Sequence, residues 1–169
     1  MGAAIGYMLG MSEFWEKVLS PYILALQIAP KVAFAPLFIM WFGFTFWPKL
    51  LVTILIVFFP ILVNVLQAMK AVDRDLINLA RAYNLSRWQI FMKVQFPSTL
   101  PSLMAGLRIG ATLAVIGVTV GELVGGNTGL GFLISYGEGQ ANAAMVFNAI
   151  LLLTLIGILL YWAVTIVEA

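Results

Sequence analysis

Residues 50–69 read LLVTILIVFFPILVNVLQAM, a run without a single charged side chain. A helix needs about 20 mostly apolar residues to cross the hydrocarbon core of a bilayer. This run is long enough to do so, and Pro60 is its only helix breaker. Hydrophobic residues make up 63% of the 169-residue chain and charged residues only 9%, whereas soluble domains carry roughly a quarter of charged residues. The sequence therefore predicts an all-α membrane protein.

Two apolar stretches nearer the C-terminus predict further spans. Thr99–Val124 carries Arg108 near one end and Glu122 near the other, and Ala144–Val167 is uncharged. Each is long enough to cross a bilayer as a helix.

A fourth candidate span, Tyr22–Phe44, is interrupted by Pro30, Lys31 and Pro36. Prolines at membrane depth need neighbouring helices to satisfy the carbonyl groups that they free. We therefore expect this span to be buried within the bundle.

The first stretch, Gly2–Met11, is too short to cross and is interpreted as the last half of a span. Its glycines recur every four residues, a spacing that lets another helix approach closely. The same spacing of small residues recurs later, at Gly106, Gly110, Ala114, Gly117, Gly121 and Gly125. The prediction is one domain over residues 1–169, a polytopic helical bundle with about four full spans and a partial N-terminal one.

The positive charges indicate the orientation. Five of the nine basic residues fall between the second and third full spans, namely Lys70, Arg74, Arg81, Arg87 and Lys93. The positive-inside rule places this basic loop (residues 70–97) in the cytoplasm. By alternation, the loops 45–49 and 125–143 lie outside, and Ser12–Ser20 and the C-terminus lie in the cytoplasm.

The basic loop is predicted to form two short helices. Asp73 can cap the first, and Asn84 stands where a left-handed residue would end it. Ser86 and Gln89 form a capping box for the second helix, and Pro97 marks its exit into the next span. Two interpretations stay open from the residues alone. The helices lie on lipid headgroups, or they dock a partner through their aromatic and cationic side chains.

These residues resemble the "EAA" loop of ABC-importer permeases. The resemblance lies in Leu79–Ala82 with Asn84, in Ser86–Gln89 and in Val94–Pro97. The family pattern is Glu-Ala-Ala, three residues, Gly, nine residues, Ile, one residue, Leu-Pro, and the spacing from Asn78 to Pro97 is the same. The chain departs from the pattern at Asn78, Leu79, Asn84, Val94 and Phe96.

Shorter motifs outside the loop are similar to the nitrate/sulfonate/taurine subgroup of these permeases. They are Ala29–Ala33, Pro36–Leu37, Trp41–Gly43, Gly106–Arg108, Gly121–Glu122 and Gly129–Gly131. The resemblance implies a bundle of the type I ABC-importer permease kind, multi-pass in the bacterial cytoplasmic (inner) membrane. Relatives usually begin with a full first span and a whole second one.

The resemblance also implies the partners. A second permease chain, expected to be another copy, would complete the pathway. Separate ATPase subunits that bind ATP and Mg²⁺ would dock on residues 73–94, and an extracytoplasmic binding protein would deliver solute. The chain has no Gly-rich phosphate loop, so ATP hydrolysis is expected in the partner, and this chain is expected to be no enzyme and to hold no cofactor. Nucleic acid is not expected among its partners. The expected ATPase-docking residues are Asp73, Asn78, Ala80, Arg81, Ala82, Asn84, Ser86, Arg87 and Trp88.

Lys31 is the main candidate for the solute pathway. It lies about nine residues into its predicted span, roughly 14 Å deep and near the midplane. A charge at that depth costs roughly 2.5–3.5 kcal/mol on insertion scales and is turned toward a partner or a water-filled cavity. Lys31 either lines the pathway for an anionic or polar solute or binds carbonyls freed by Pro36. Pro36 and Asn64 are further candidates for the lining.

Glu122 is predicted near the outer face, at a depth that argues against a pair with Lys31. It either packs or lines an outer gate with Asn127 and the 129–131 turn. The chain contains no cysteine or histidine, and no metal site is expected.

Three alternatives to an importer subunit were weighed. An ion-channel subunit would use the intramembrane charges, but no filter sequence supports it. An intramembrane protease would need a Ser–His pair or two membrane aspartates, which the chain lacks. A shortened, non-transporting subunit that still binds the ATPase remains open. So does the solute: nitrate, sulfonates and taurine, or a vitamin or precursor such as riboflavin or a pyrimidine.

Overall fold

A computed structural model describes residues 1–168 of the chain, which form helices and short connections without any strand in that range. The helices are α1 (Gly2–Gly10), α2 (Glu13–Ile28), α3 (Ala35–Phe42), α4 (Phe46–Ala71), α5 (Arg74–Ala82), α6 (Arg87–Ile90), α7 (Phe96–Gly125), α8 (Leu130–Gly139) and α9 (Ala143–Glu168). A 3₁₀ turn, Lys31–Phe34, precedes α3, and a π turn, Phe91–Gln95, joins α6 to α7. The all-α prediction is confirmed. Ala169 lies outside the described residues, and the predicted cytoplasmic C-terminus with it.

Three helices are long and apolar enough to cross a membrane. They are Phe46–Ala71, the continuous helix Arg87–Gly125 and Ala143–Val167. A fourth span results if the bent pair Glu13–Ile28 and Lys31–Phe42 is one crossing. The predicted count of about four spans agrees with this range.

Small residues allow α4 and α7 to pack closely as antiparallel neighbours. A Cβ added to Gly117 would lie 2.7 Å from Cα of Thr53, and one added to Gly121 would lie 2.8 Å from Cα of Lys49. Only a residue without a side chain permits such a backbone approach. The predicted role of this glycine face in helix packing is confirmed.

The short helix α1 packs on α4 in the parallel direction. Gly2 lies against the carbonyl of Phe58, and Gly10 lies against the side chain of Met69. The end of α1 and the end of α4 therefore lie at the same end of the bundle. An ion pair of 2.6 Å between Lys70 Nζ and Glu16 Oε1 joins the start of α2 to that end.

The predicted interruption of Tyr22–Phe44 is confirmed, whereas the expectation that this stretch is buried within the bundle is wrong. The chain breaks at Ala29–Pro30 and bends by 75°. Ala29 is extended at ψ 137°, as expected for a residue before proline, whose ring disfavours the helical conformation there. Within the described chain no residue of α2 is buried, and Ala35 alone is buried in α3.

Pro97 stands where the second loop helix passes into the next span, as predicted, and the helix is continuous there from Arg87 to Gly125. Proline is tolerated at this position since it stands in the first turn of α7 and just after the π turn. The loop 125–143 contains a helix of its own, α8.

Candidate functional site

The first helix of the basic loop is defined at both ends by local hydrogen bonds. The Asp73 carboxylate accepts from the N–H of Asp75 at 2.8 Å. Asn84 is left-handed at φ 53°. Its N–H donates to Arg81 O at 2.9 Å, and that of Leu85 donates to Ala80 O at 3.1 Å. These are the two bonds of a Schellman motif, and both predicted boundaries of α5 are confirmed.

The second helix of the loop begins with the predicted capping box. The Ser86 N–H donates to Oε1 of Gln89 at 2.8 Å, and the Gln89 N–H donates to Oγ of Ser86 at 3.3 Å. Two orphan N–H groups at the start of α6 are thereby satisfied. The basic loop is thus a pair of capped helices with a fixed turn between them.

The expected docking residues lie at the surface, with one exception. Ala80 is 5% exposed and anchors α5, whereas the others are open to a partner: Asp73, Asn78, Arg81, Ala82, Asn84, Ser86, Arg87 and Trp88. The Trp88 ring is 61% exposed and rests against Phe91, with the ring centroids 5.5 Å apart. An exposed tryptophan next to an exposed arginine, Arg87, has the composition of an interaction hot spot.

Lys31 lies at the break between α2 and α3. Its ammonium group donates to the carbonyl of Gln27, which ends α2, and lies 5.2 Å from the centroid of the Phe59 ring. Phe59 stands near the middle of α4, so Lys31 is at mid-span depth. Lys31 therefore does bind backbone carbonyls, as one of the two alternatives predicted. These carbonyls lie at the end of α2, however, and are not the ones that Pro36 would free.

The other pathway candidates do not gather around Lys31. Pro36 is exposed in the first turn of α3. The Asn64 amide donates to Pro60 O of its own helix at 2.9 Å, and the Asn64 side chain lies against Gly106 of α7. Among the described residues the four candidates therefore lie in three separate places. Lys31 and Pro36 lie after the break that follows α2, Asn64 lies between α4 and α7, and Glu122 lies at the end of α7.

Glu122 joins three elements at the end of the bundle opposite the basic loop, which is the predicted outer end. One carboxylate oxygen accepts from the N–H of Gly131 at 2.8 Å, and the other lies 3.7 Å from Nζ of Lys49. The Lys49 ammonium also donates to the carbonyl of Thr128 at 3.2 Å. The Lys49 and Glu122 side chains are 17% and 12% exposed. We call this set of contacts the outer lock (Lys49, Glu122, Thr128 and Gly131).

The place of Glu122 beside the 129–131 turn was anticipated, but its partner Lys49 was missed. A signal for it was present in the sequence. Lys49 stands at the start of one predicted span and Glu122 near the end of the next. If these spans are antiparallel neighbours, both charges come to the same end of the bundle.

The chain matches the family described as "Binding-protein-dependent transport system inner membrane component" over residues 2–169. It is 39% identical over 168 residues to the formylaminopyrimidine transport permease protein ThiX of Halalkalibacterium halodurans, covering 97% of this chain and 67% of that protein. It is 42% identical over 146 residues to the riboflavin transport system permease protein RibX of Chloroflexus aurantiacus, covering 86% and 54%. It is 33% identical over 157 residues to the putative aliphatic sulfonates transport permease protein SsuC of Bacillus subtilis, covering 93% and 57%. The chain thus spans between about half and two thirds of the length of these relatives.

Proposed function

Because the chain belongs to the family of binding-protein-dependent transport system inner membrane components, we propose that it is the transmembrane subunit of an ATP-driven importer. It contributes to the solute pathway and couples to separate ATPase subunits through residues 73–94. The observation that carries this proposal is the pair of capped helices α5 and α6, whose charged and aromatic side chains are exposed at one end of the bundle. ATP and Mg²⁺ belong to the partner.

The mechanism follows from how rigidly the loop is built. ATP-driven closure of the docked ATPases moves α5 and α6 as one body, because both helices are capped and share a fixed turn. Since α6 continues into α7, this movement tilts a membrane span and changes which side of the pathway is open. ATP biases the equilibrium because the ATPases bind one of the two states better.

The assembly is proposed to contain two copies of this chain and an extracytoplasmic solute-binding protein. Two apolar helices support a membrane-embedded dimer, because α2 has no buried residue and the most apolar stretch of α9 is uncovered within residues 1–168. Orientation follows the positive-inside rule, with the basic loop in the cytoplasm. The ion pair between Glu16 and Lys70 supports the same side for Ser12–Ser20.

The test of docking is co-purification of the cognate ATPase subunit with the membrane chain. The double variant Arg81→Glu, Arg87→Glu reverses two exposed charges of the loop and is expected to abolish co-purification while membrane insertion is unchanged. Lys17→Glu is the matched control, because Lys17 is 78% exposed at the same end but outside the loop. Unchanged co-purification of the double variant contradicts the proposal.

For the pathway we propose Lys31, Pro36, Asn64 and Glu122, with Lys31 offering its ammonium group to a polar solute at mid-span depth. Lys31→Met is expected to impair ATP-dependent uptake in proteoliposomes more than folding. Lys31→Gln keeps a donor for the Gln27 carbonyl but removes the charge, so it separates the two roles of this side chain. Uptake by both variants at wild-type expression would mean that Lys31 is structural.

The proposed solute is a flat nitrogen heterocycle rather than a small anion. The relatives named for formylaminopyrimidine and riboflavin are 39% and 42% identical to this chain, and the sulfonate relative is 33% identical. Ring carbonyls and ring nitrogens would accept hydrogen bonds from Lys31. Uptake of labelled riboflavin, formylaminopyrimidine and taurine is compared in cells with and without the chain. Dependence of taurine uptake alone contradicts this choice.

A further inference from the structure

The π turn Phe91–Gln95 lies where the proposed docking helix α6 joins the span α7. The N–H of Phe96 donates to the carbonyl of Phe91, five residues back, so this turn holds one residue more than an α-helical turn. Each residue of an α-helix turns by about 100°. The extra residue therefore sets the direction in which α6 presents its side chains relative to α7. Such single π turns within α-helices are frequent at functional sites.

The sequence after the turn explains why it forms. Pro97 has no N–H with which to continue the α-helical pattern. Two hydroxyl groups bind carbonyls of the widened turn: Ser98 Oγ donates to Val94 O at 2.6 Å, and Thr99 Oγ1 lies 3.0 Å from Gln95 O. Both hydroxyls bind carbonyls four residues back, within and next to the π turn, as serine and threonine side chains in helices commonly do.

Tyr7 of α1 touches both ends of this π turn. Its ring centroid lies 5.5 Å from that of Phe91 and 5.5 Å from that of Phe96. The hydroxyl oxygens of Tyr7 and Thr99 are 3.1 Å apart, and Thr99 is fully buried. Because the single hydroxyl hydrogen of Thr99 is used on its own helix, Tyr7 is the donor in this pair.

Tyr7 is itself held in a fixed place. Gly6 beside it lies so close to α4 that an added Cβ would be 2.9 Å from the carbonyl of Leu62. The Tyr7 side chain is 8% exposed and forms a cluster with Val65, Met69 and Phe91. Tyr7 is thus held against α4 and contacts both ends of the π turn, so its side chain opposes relaxation of that turn to a regular α-helix.

We propose that Tyr7 is a positioning residue that locks this π turn and so fixes the rotation at which α6 presents Arg87 and Trp88 to the ATPase. This inference rests on the proposed docking of an ATPase. The turn between α5 and α6 is fixed, so the two helices keep one orientation relative to each other. Relaxation of the π turn rotates this pair about the axis of α7 by about 100° and turns Arg81, Arg87 and Trp88 away from the partner.

The test is a double-mutant cycle on the Kd of the full chain in nanodiscs for its purified ATPase subunit. Tyr7→Phe removes the donor but keeps the ring, and it is expected to weaken binding about tenfold, as Arg87→Ala is. The two losses of affinity should not multiply in the double variant, because a misdirected α6 no longer uses Arg87, and residues that act as one unit are coupled in such cycles. If Tyr7→Phe only destabilised the chain in general, its loss of affinity would multiply with that of Arg87→Ala.

Two further variants complete the test. Thr99→Ser keeps the hydroxyl partner of Tyr7 and should bind within about twofold of the wild type. Deletion of Met92, which is half-exposed in the turn, removes the extra residue and closes a regular α-helix without rotating α6. This variant should bind within about twofold of the wild type, even when it is combined with Tyr7→Phe. Wild-type affinity of Tyr7→Phe overturns the inference, as does a hundredfold loss in the double variant with Arg87→Ala. Failure of the wild type to bind the ATPase refutes the proposed docking instead.

Discussion

The two ends of the bundle are stabilised in different ways. At the end that carries the basic loop, Asp73, Asn84 and Ser86 bind groups within a few residues of themselves. At the opposite end, the outer lock joins the starts of α4 and α8 to the end of α7 through residues far apart in sequence. The basic-loop end therefore keeps its shape through local contacts. The opposite end keeps its shape only while three helices stay together.

The largest effect should come from the turn under the outer lock. Gly129 has φ 107° and ψ 175°, and its Cα lies against the Glu122 carboxylate. Gly129→Ala puts a Cβ into a backbone region that is essentially restricted to glycine and into the carboxylate, so it should cost roughly 2–4 kcal/mol. Thermal unfolding in detergent measures this cost. Gly139→Ala is the control, since a Cβ there meets nothing within 4 Å; equal effects of both would show that the turn is not special.

Removal of the Glu122 carboxylate is expected to have the next largest effect. Glu122→Ala leaves the Lys49 ammonium and the Gly131 N–H without this partner and should lower stability by about 2 kcal/mol. Glu122→Gln retains an acceptor for Gly131 and should lose about half as much. A cycle with Lys49→Met then isolates the ion pair. If Glu122 and Lys49 act independently in that cycle, the three helices are not joined through this pair.

A change at the cytoplasmic end should have a local effect. Ser86→Ala removes the capping box and should cost about 1 kcal/mol. Because α6 is exposed, we expect weaker ATPase binding and little change in the melting temperature. Ser12→Ala is the matched control, because Ser12 stands at the N-cap of α2 and its side chain makes no cap hydrogen bond. A fall in melting temperature as large as that of Glu122→Ala would erase the contrast between the two ends.

The smallest effects compare two left-handed residues, one at each end. Asn84 has φ 53° and Ala141 has φ 51°. Asparagine adopts this conformation readily and alanine does not, so Asn84→Gly should change stability by less than about 0.5 kcal/mol, while Ala141→Gly should raise it by about 0.5–1 kcal/mol. Chemical denaturation measures both. A stabilising Asn84→Gly would mean that the loop is strained.

Local signals account for what the sequence predicted well. The caps of α5 and α6 depend on a few neighbouring residues, and the glycine faces of α1 and α7 depend on a simple spacing. Contacts between distant residues account for what it missed. The residues around Lys49 give no sign of its partner Glu122. The start of α8 is likewise supported from another helix, because the Glu122 carboxylate accepts from the N–H of Gly131. Such pairings become visible only when the order of helices in space is known.

The prolines Pro30 and Pro97 have opposite effects on the chain. Pro30 follows a break between two helices, whereas Pro97 stands inside a continuous helix. The difference lies in the surroundings: Ala29 before Pro30 is extended, whereas Pro97 stands in the first turn of α7, just after the π turn. Proline alone indicates only that one backbone donor is missing. Its position relative to the start of a helix decides whether the helix continues.

The continuous helix from Arg87 to Gly125 has a mechanical consequence. With 39 residues at 1.5 Å each it is about 58 Å long, about twice the thickness of the hydrocarbon core. In the proposed importer it would act as a lever whose fulcrum lies in the membrane, with Arg87 and Trp88 on the arm that carries the basic loop and Glu122 on the opposite arm. A tilt of about 10° about its midpoint would move each end by roughly 5 Å, which is more than the separation of the Lys49 and Glu122 charges, 3.7 Å. A small push by the ATPase would then be enough to pull the outer lock apart.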